Sequence, residues 1–373
     1  MHISKLVLHQ FRNLTSAEIT LDPGFNGFYG DNGSGKTSIL EAIYYLAMAK
    51  SFRSHYSRYI IQEGAADFTL FAQVDSEESF KLGITKPRVG DAILKYQNEV
   101  ILSQSEWIKK LPVLLCNHDT YQLLDAGPKI RRQFIDWGVF HVKHEFFRHW
   151  QIAQKALRQR NSALRAGLSD QDIHAWDQQL AEATRHITAL RQAYLAEFLP
   201  IFMEILNNFL VCRNLNIVFS QGWPEDDDYL DVLKATLGRD RQFGYTRHGP
   251  QRADLRFLFD THPVEEVLSR GQQKVFVAAL KLAQGQMLKV INQPCIYLVD
   301  DLPSELDEEK QRSVIKVLSE TASQVFVTGI TPEALTSILA GYPAKMFHVK
   351  HPGIVEPSSE DSRTREMGAG VFV

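Results

Sequence analysis

Apolar and polar residues alternate at the start of the chain. Ile3, Leu6, Leu8 and Phe11 are separated by polar positions, and Ile19 and Leu21 continue the pattern. A period of two predicts a β-hairpin or meander that runs into a glycine-rich turn at Gly30. From Ser38 to Met48 (SILEAIYYLAM) the apolar spacing becomes that of a helix. Two more alternating stretches, Phe68 to Val74 and Phe80 to Ile84, predict further antiparallel strands.

From about Lys129 to Cys212, Arg, Gln, Ala, Leu and His dominate, glycine becomes scarce, and apolar residues again fall three and four apart. This predicts a run of helices, interrupted near Gly167 and bent near Pro200. No heptad pattern persists long enough for a coiled-coil arm, so these read as the amphipathic helices of a lobe. Leu215 to Phe219 and Leu255 to Phe259 have strand texture, with EDDDYLDVLKATL between them as a helix whose first turn is acidic. Asp226 to Asp228 have the composition of a metal site too, but a solvated helix start accounts for them. A long helix from Gly271 to about Lys289, an apolar strand Cys295 to Val299, and a buried strand in QVFVTG after Ala322 follow. The tail from Pro357 onward is polar and reads as loose.

With 373 residues the chain is long enough for one large domain or two compact ones. A net charge of -3 does not announce a nucleic-acid protein, so any DNA contact must come from a local basic surface. Cys116, Cys212 and Cys295 are widely spaced in apolar runs, the pattern of reduced thiols rather than of a disulfide framework or zinc site. MHISKLVLHQFRNL lacks the apolar core of a secretion signal, and no apolar run reaches the length of a membrane span. The expectation is a cytoplasmic protein without a membrane partner.

The strongest local motif is Gly30-Asp31-Asn32-Gly33-Ser34-Gly35-Lys36-Thr37, with Ser38 following on the helix. It fits the P-loop pattern and lies between a predicted strand and a predicted helix, as phosphate binding requires. Glycines let backbone N–H groups approach phosphate oxygens, and the helix adds its positive end. Lys36 is expected at the β- and γ-phosphates of ATP and the Thr37 hydroxyl on Mg²⁺. Such a cradle needs an acidic partner on a second buried strand. After Cys295 to Val299 come Asp300, expected near Mg²⁺, and Asp301, expected beside the γ-phosphate.

Leu268-Ser269-Arg270-Gly271-Gln272-Gln273-Lys274 opens the long helix, with Ser269 as its N-cap. This run resembles the ABC ATPase signature, usually LSGGQ, with Arg270 in place of the first glycine. The resemblance implies that Ser269, Arg270, Gly271 and Gln272 contact ATP held by the P-loop of a second subunit. Ser304-Glu305-Leu306-Asp307 is similar to the D-loop between subunits. Two departures stand out. Asp301 occupies the place of the usual glutamate, which implies slow ATP hydrolysis. The switch histidine is missing, and QVFVTGIT offers Thr328, Gly329 and Thr331 instead.

The gap between P-loop and signature is more than twice that of transporter subunits, and its insertion is too short for an SMC-like rod. The chain thus resembles the RecF family of bacterial recombination proteins, ABC-type ATPases related to SMC-like heads. QFRNL is similar to the family's opening strand and turn, with Arg12 a nucleotide contact. Lys50-Ser51-Phe52-Arg53 and LLDAGPKIRRQFIDW (Gly127, Pro128, Arg131, Arg132, Asp136) are similar to family blocks, as is Thr246 to Asp254, where Gln251 and Ala253 depart from the commonest residues. Asn117 stands about where ABC proteins keep their glutamine loop. The resemblance implies an α/β, ABC-type head with a mixed sheet, built from 1–116 and 250–373, and an inserted, mainly helical lobe, 117–249. It also implies an ATP-dependent homodimer that clamps double-stranded or gapped DNA without reading sequence and helps RecO and RecR load recombinase. Lys109, Lys110, Lys129, Arg131, Arg132, Arg148, Lys155, Arg158 and Arg160 could supply backbone contacts. The competing classes are a transporter's ATP-binding subunit, a P-loop kinase of small molecules and a non-hydrolysing scaffold.

Overall fold

The computed structural model describes residues 1–54, 56–210, 212, 214–350 and 354–357. Of the tail expected to be loose from Pro357 onward, only Pro357 is among them, at the end of strand Ile354–Pro357; 358–373 lie outside. The chain divides into two compact units, Met1–Thr120 with Ala278–Val373, and Tyr121–Val277.

The first unit holds two six-stranded sheets. One is antiparallel, in the order Leu14–Thr20, His2–Phe11, Asp67–Asp75, Phe80–Pro87, Ile93–Tyr96, Glu99–Val100. Along Asp67–Asp75 every second residue is buried and those between are half-buried, so one face is covered fully and the other in part. The second sheet runs Ile354–Pro357, Ala344–Lys350, Phe25–Tyr29, Gln324–Gly329, Ile296–Val299, Val113–Cys116, and is parallel apart from its first pair. Its central strands Gln324–Gly329 and Ile296–Val299 are buried at every position, as expected of strands covered on both faces. Val113–Cys116 and Ala344–Lys350 were not foreseen. Helix Lys36–Met48 packs on the antiparallel sheet through Tyr45, whose ring meets Phe68 edge-on at 5.1 Å while Phe68 meets Phe11 at 5.0 Å. Buried Gln324 joins the two sheets: its amide accepts from the Ile3 N–H at 2.9 Å and donates to the Ile3 carbonyl at 2.9 Å.

The second unit is mainly helical, with helices Gly127–Val142, Phe146–Arg165, Asp170–Asn207 and Tyr229–Phe243. Gly167 adopts φ 68° between the second and third of these, where the pattern broke, and Asp170–Asn207 runs on through Pro200. Asp228 caps its helix by accepting from the Leu230 N–H, which gives the acidic run a structural role at that position. A three-stranded antiparallel sheet, His262–Pro263, Asp254–Phe259, Leu215–Ser220, completes the unit. The sequence reading returned to the head at residue 250, but residues 250–277 belong to the second unit. The cause is packing: Asp254–Phe259 pairs with Leu215–Ser220, and Phe276 packs edge-on against Phe202 at 5.2 Å and Phe257 at 5.3 Å. The division therefore falls inside helix Arg270–Val290.

Candidate functional site

Strand Phe25–Tyr29 delivers the chain to Gly30, which holds φ 144°, a conformation closed to most L-residues. A Cβ there would also lie 2.3 Å from the Val349 carbonyl oxygen, so only glycine fits. The turn then enters helix Lys36–Met48 through Gly35 at φ 118°, and no side chain caps that helix. Its first N–H groups are left for an external acceptor. The Ser34 hydroxyl is buried without a partner, a second unfilled polar position in the same turn. The Lys36 ammonium rests on the carbonyls of Gly30 (2.5 Å) and Asp31 (2.9 Å). Burial lowers its pKa, against the pull of Asp301, Asp300 and Asp31.

Strand order places the acidic partner. Ile296–Val299 lies one strand away from Phe25–Tyr29, with Gln324–Gly329 between them, so all three end at the same edge. The crevice beyond the carboxyl ends of parallel strands is where such sheets bind ligands. Thr37 Oγ1 lies 3.1 Å from both carboxylate oxygens of Asp300. Thr328, on the intervening strand, donates its hydroxyl to Asp300 at 2.7 Å and accepts the Asp301 N–H at 2.8 Å. Burial raises the Asp300 pKa, partly offset by the hydroxyls of Thr328 and Thr37. Asp301 adopts φ 56°, and Ser304 donates to its carboxylate at 2.5 Å.

Three residues that sequence reasoning passed over organise the rest. Asn13 donates its amide to the carbonyls of Gly33 and Ser34, both at 3.1 Å, and accepts from Ser38 at 3.0 Å, so it ties the P-loop to the opening hairpin. Glu41, on the first helix, is fully buried and gathers Arg12 at 2.9 and 2.6 Å, Arg53 at 3.4 Å and the Ser51 hydroxyl. Ser51 in turn accepts the N–H groups of Arg53 and Ser54, both at 2.9 Å. The third is Thr328, noted in sequence only as what stands where a histidine was missing. Asn13 adjoins Arg12 in QFRNL and was the one most open to detection.

Beside them lies a cavity of about 1020 Å³, whose walls include Arg12, Asn13, Lys36, Thr37, Ser38, Arg53, Asp300, Asp301 and Thr328, with Asn32, Gly33 and Gly35. The residues present fit a nucleoside triphosphate with Mg²⁺: an uncapped helix start, an unpartnered hydroxyl, a lysine, and two hard oxygen donors in Thr37 and Asp300. Among the described residues no cluster of three or more His, Cys, Asp or Glu gathers that could hold a metal.

Several expected residues stand elsewhere. Asn117 spends its side chain on its own turn, accepting from the N–H (3.0 Å) and hydroxyl (2.7 Å) of Thr120, and it is His118 that lines the cavity. Arg160 is no surface contact: it is fully buried between Asp177 (2.5 Å) and Asp240 (2.7 Å). Arg131 grips Asp254 with two hydrogen bonds of 2.8 and 3.0 Å, and Arg132 donates to the Ala253 carbonyl at 2.6 Å. Arg191 holds Asp136 at 2.8 and 2.9 Å and the Pro250 carbonyl at 3.1 Å. The blocks around 124–137 and 246–254 are thus pinned together by arginines, which explains their composition without DNA. Lys110 is half-buried, its ammonium 4.3 Å over the Tyr96 ring. Lys109, Lys129, Arg148, Lys155 and Arg158 are exposed.

The signature belongs to the second unit. Ser269 and Gln272 form a reciprocal cap: the Gln272 side chain accepts the Ser269 N–H at 2.9 Å, and the Ser269 hydroxyl accepts the Gln272 N–H at 3.4 Å. Ser269, Arg270 and Gly271 are exposed, and nothing stands within 4 Å of where a Gly271 Cβ would be. Arg270 turns to Asp125 at 2.7 Å and Gln273 at 3.1 Å.

Among the described residues no helix is long and apolar enough to cross a membrane. The family model described as RecF/RecN/SMC N terminal domain matches residues 2–351. The chain is 43% identical over 356 residues to the DNA replication and repair protein RecF of Pseudomonas aeruginosa (94% of this chain, 96% of that one). It is 42% identical over 352 residues to that of Shewanella loihica (94% and 98%). A solved structure of the recombination mediator protein RecF-ATP in the RecFOR pathway superposes with a TM-score of 0.85 at 22% identity, covering 96% of this chain and 98% of that one. An Smc head bound to the C-winged helix domain of ScpA gives 0.59 at 16% identity, covering 98% and 100%. At those identities the structures speak for the fold alone, an ABC-type α/β head.

Proposed function

Because this chain belongs to the RecF family, within the RecF/RecN/SMC N-terminal domain proteins, we propose that it is a cytoplasmic, ATP-driven switch that closes on DNA. One observation carries the reading: Lys36, Thr37, Asp300 and Asp301 line one cavity at the edge of the parallel sheet. Lys36 exchanges its two backbone carbonyls for the β- and γ-phosphates, and the uncapped helix start and the Ser34 hydroxyl take up further phosphate oxygens. Thr37 and Asp300 would hold Mg²⁺, which would supply positive charge against those oxygens. Asp301 orients the attacking water, and its single methylene, tethered by Ser304, makes turnover slow.

The exposed Ser269–Gly271 tip completes the pocket of a second copy, so that ATP drives dimerisation and hydrolysis reverses it. The closed dimer holds double-stranded DNA at gaps by its backbone, through exposed cations such as Lys129, Arg148, Lys155 and Arg158, and supports recombinase loading with RecO and RecR. Light scattering of the purified protein with ATP, with ADP and with neither, repeated with gapped duplex, tests this. The expected result is a dimer with ATP alone. A monomer at saturating ATP, with or without DNA, sinks it.

A further inference from the structure

Helix Tyr229–Phe243 ends in a left-handed Gly244 at φ 71°, and the residues on either side of that glycine are aromatic and on the surface. Phe243 is 56% exposed and Tyr245 40%, so two rings leave apolar faces in water. Each has a guanidinium beside it: Arg247 lies 5.1 Å from the Phe243 ring centroid and Arg252 5.9 Å from that of Tyr245. A third, Arg165, donates to the Gly244 carbonyl at 3.3 Å. The carboxylates tied to this stretch are already engaged. Asp240 is buried on Arg160 and also accepts the Arg247 N–H at 3.2 Å, and Asp170 holds Arg241 at 2.5 Å. What remains is a face of rings and cations on a chain whose net charge is -3. It is held firm from behind as well. Thr246 is buried, its N–H donates to the Asn161 side chain at 2.8 Å, and its hydroxyl accepts from Arg160 at 2.8 Å. Rings held in this way lose little entropy when a flat ligand settles on them.

We propose that Phe243 and Tyr245, with Arg165, Arg247 and Arg252 around them, form a site for an unpaired stretch of nucleic acid, whose bases stack on the rings and whose phosphates meet the guanidiniums. The chemistry selects the occupant. Bases inside a duplex already stack on one another and gain nothing from exposed rings, whereas unpaired bases gain from any aromatic face. An acidic peptide would satisfy the cations and leave the rings unused. The site goes beyond the reading above, in which exposed cations hold a duplex by its backbone. It lies within the second unit and needs neither ATP nor a second copy. Such a site tells the open strand of a gap from the duplex beside it.

Fluorescence anisotropy of the full chain without nucleotide tests it, comparing a labelled oligothymidine with an abasic strand and a duplex of equal length. The proteins are wild type, Phe243→Ala with Tyr245→Ala, and Phe243→Tyr with Tyr245→Phe, which keeps both rings. The alanine pair is expected to weaken oligothymidine about tenfold or more and to leave the abasic strand and the duplex unchanged. The ring-keeping pair is expected to behave as wild type. Unaltered oligothymidine affinity in the alanine pair overturns the site. So does an equal loss for all three ligands, which would make the face a plain phosphate surface. A polyglutamate peptide that displaces oligothymidine from wild type, and binds the alanine pair just as well, would assign the face to an acidic partner instead. Lys36→Met is expected to bind oligothymidine like wild type, so that failure here and failure of the ATP switch are told apart.

Discussion

Thr328 and Asp300 are joined by a 2.7 Å hydrogen bond from the threonine hydroxyl to the carboxylate, and that same hydroxyl accepts the Asp301 N–H. The strand between the P-loop strand and the acidic strand therefore holds the Asp300 carboxylate and the Asp301 backbone at once. Thr328→Val keeps the shape and removes the bridge, leaving the Asp301 N–H without its acceptor at a cost of about 1–3 kcal/mol. Hydrolysis should fall at least tenfold, while the Kd for ATP changes less than threefold. Single-turnover hydrolysis beside equilibrium binding separates the two.

Asp301→Asn alters charge and little else, because asparagine tolerates the left-handed backbone at φ 56°. ATP should still bind, hydrolysis should stall, and a dimer should accumulate in size-exclusion runs with ATP. Lys36→Met removes nucleotide binding altogether and gives the baseline for that comparison.

Ser269→Arg puts a long cation on an exposed helix tip. Binding of ATP by the isolated subunit should survive while ATP-dependent self-association is lost. Undiminished association in sedimentation velocity would count against a shared pocket.

Arg160→Met uncovers two buried carboxylates, Asp177 and Asp240, and should cost about 3–5 kcal/mol of stability. Chemical denaturation measures this. The salt dependence of DNA binding by the folded fraction should not change, since a fully buried guanidinium releases no counterion.

The difference between Arg160 and Arg158 shows what a sequence can and cannot carry. Both are arginines on one helical run, and period and composition read them alike; only the packing of residues 177 and 240 around one of them sets it apart. The P-loop and the acidic strand end were legible as neighbours because each is a local motif whose chemistry lies in adjacent residues. The antiparallel hairpin and the long helices were legible from period alone. Val113–Cys116 escaped because four apolar residues do not distinguish a strand from a helix segment. Glu41 escaped because its partners Arg12, Ser51 and Arg53 lie on separate elements, so a buried acid on an apolar helix had no visible reason.

Gln324 holds both backbone groups of Ile3 across 321 positions of sequence. While the chain is being made, the first strand to leave the ribosome must wait for nearly the last to arrive, and the phosphate turn lacks the neighbouring strand and its Thr328 until then. A truncated product ending between residues 38 and 323 carries the whole P-loop motif and still lacks Thr328, one wall of the pocket.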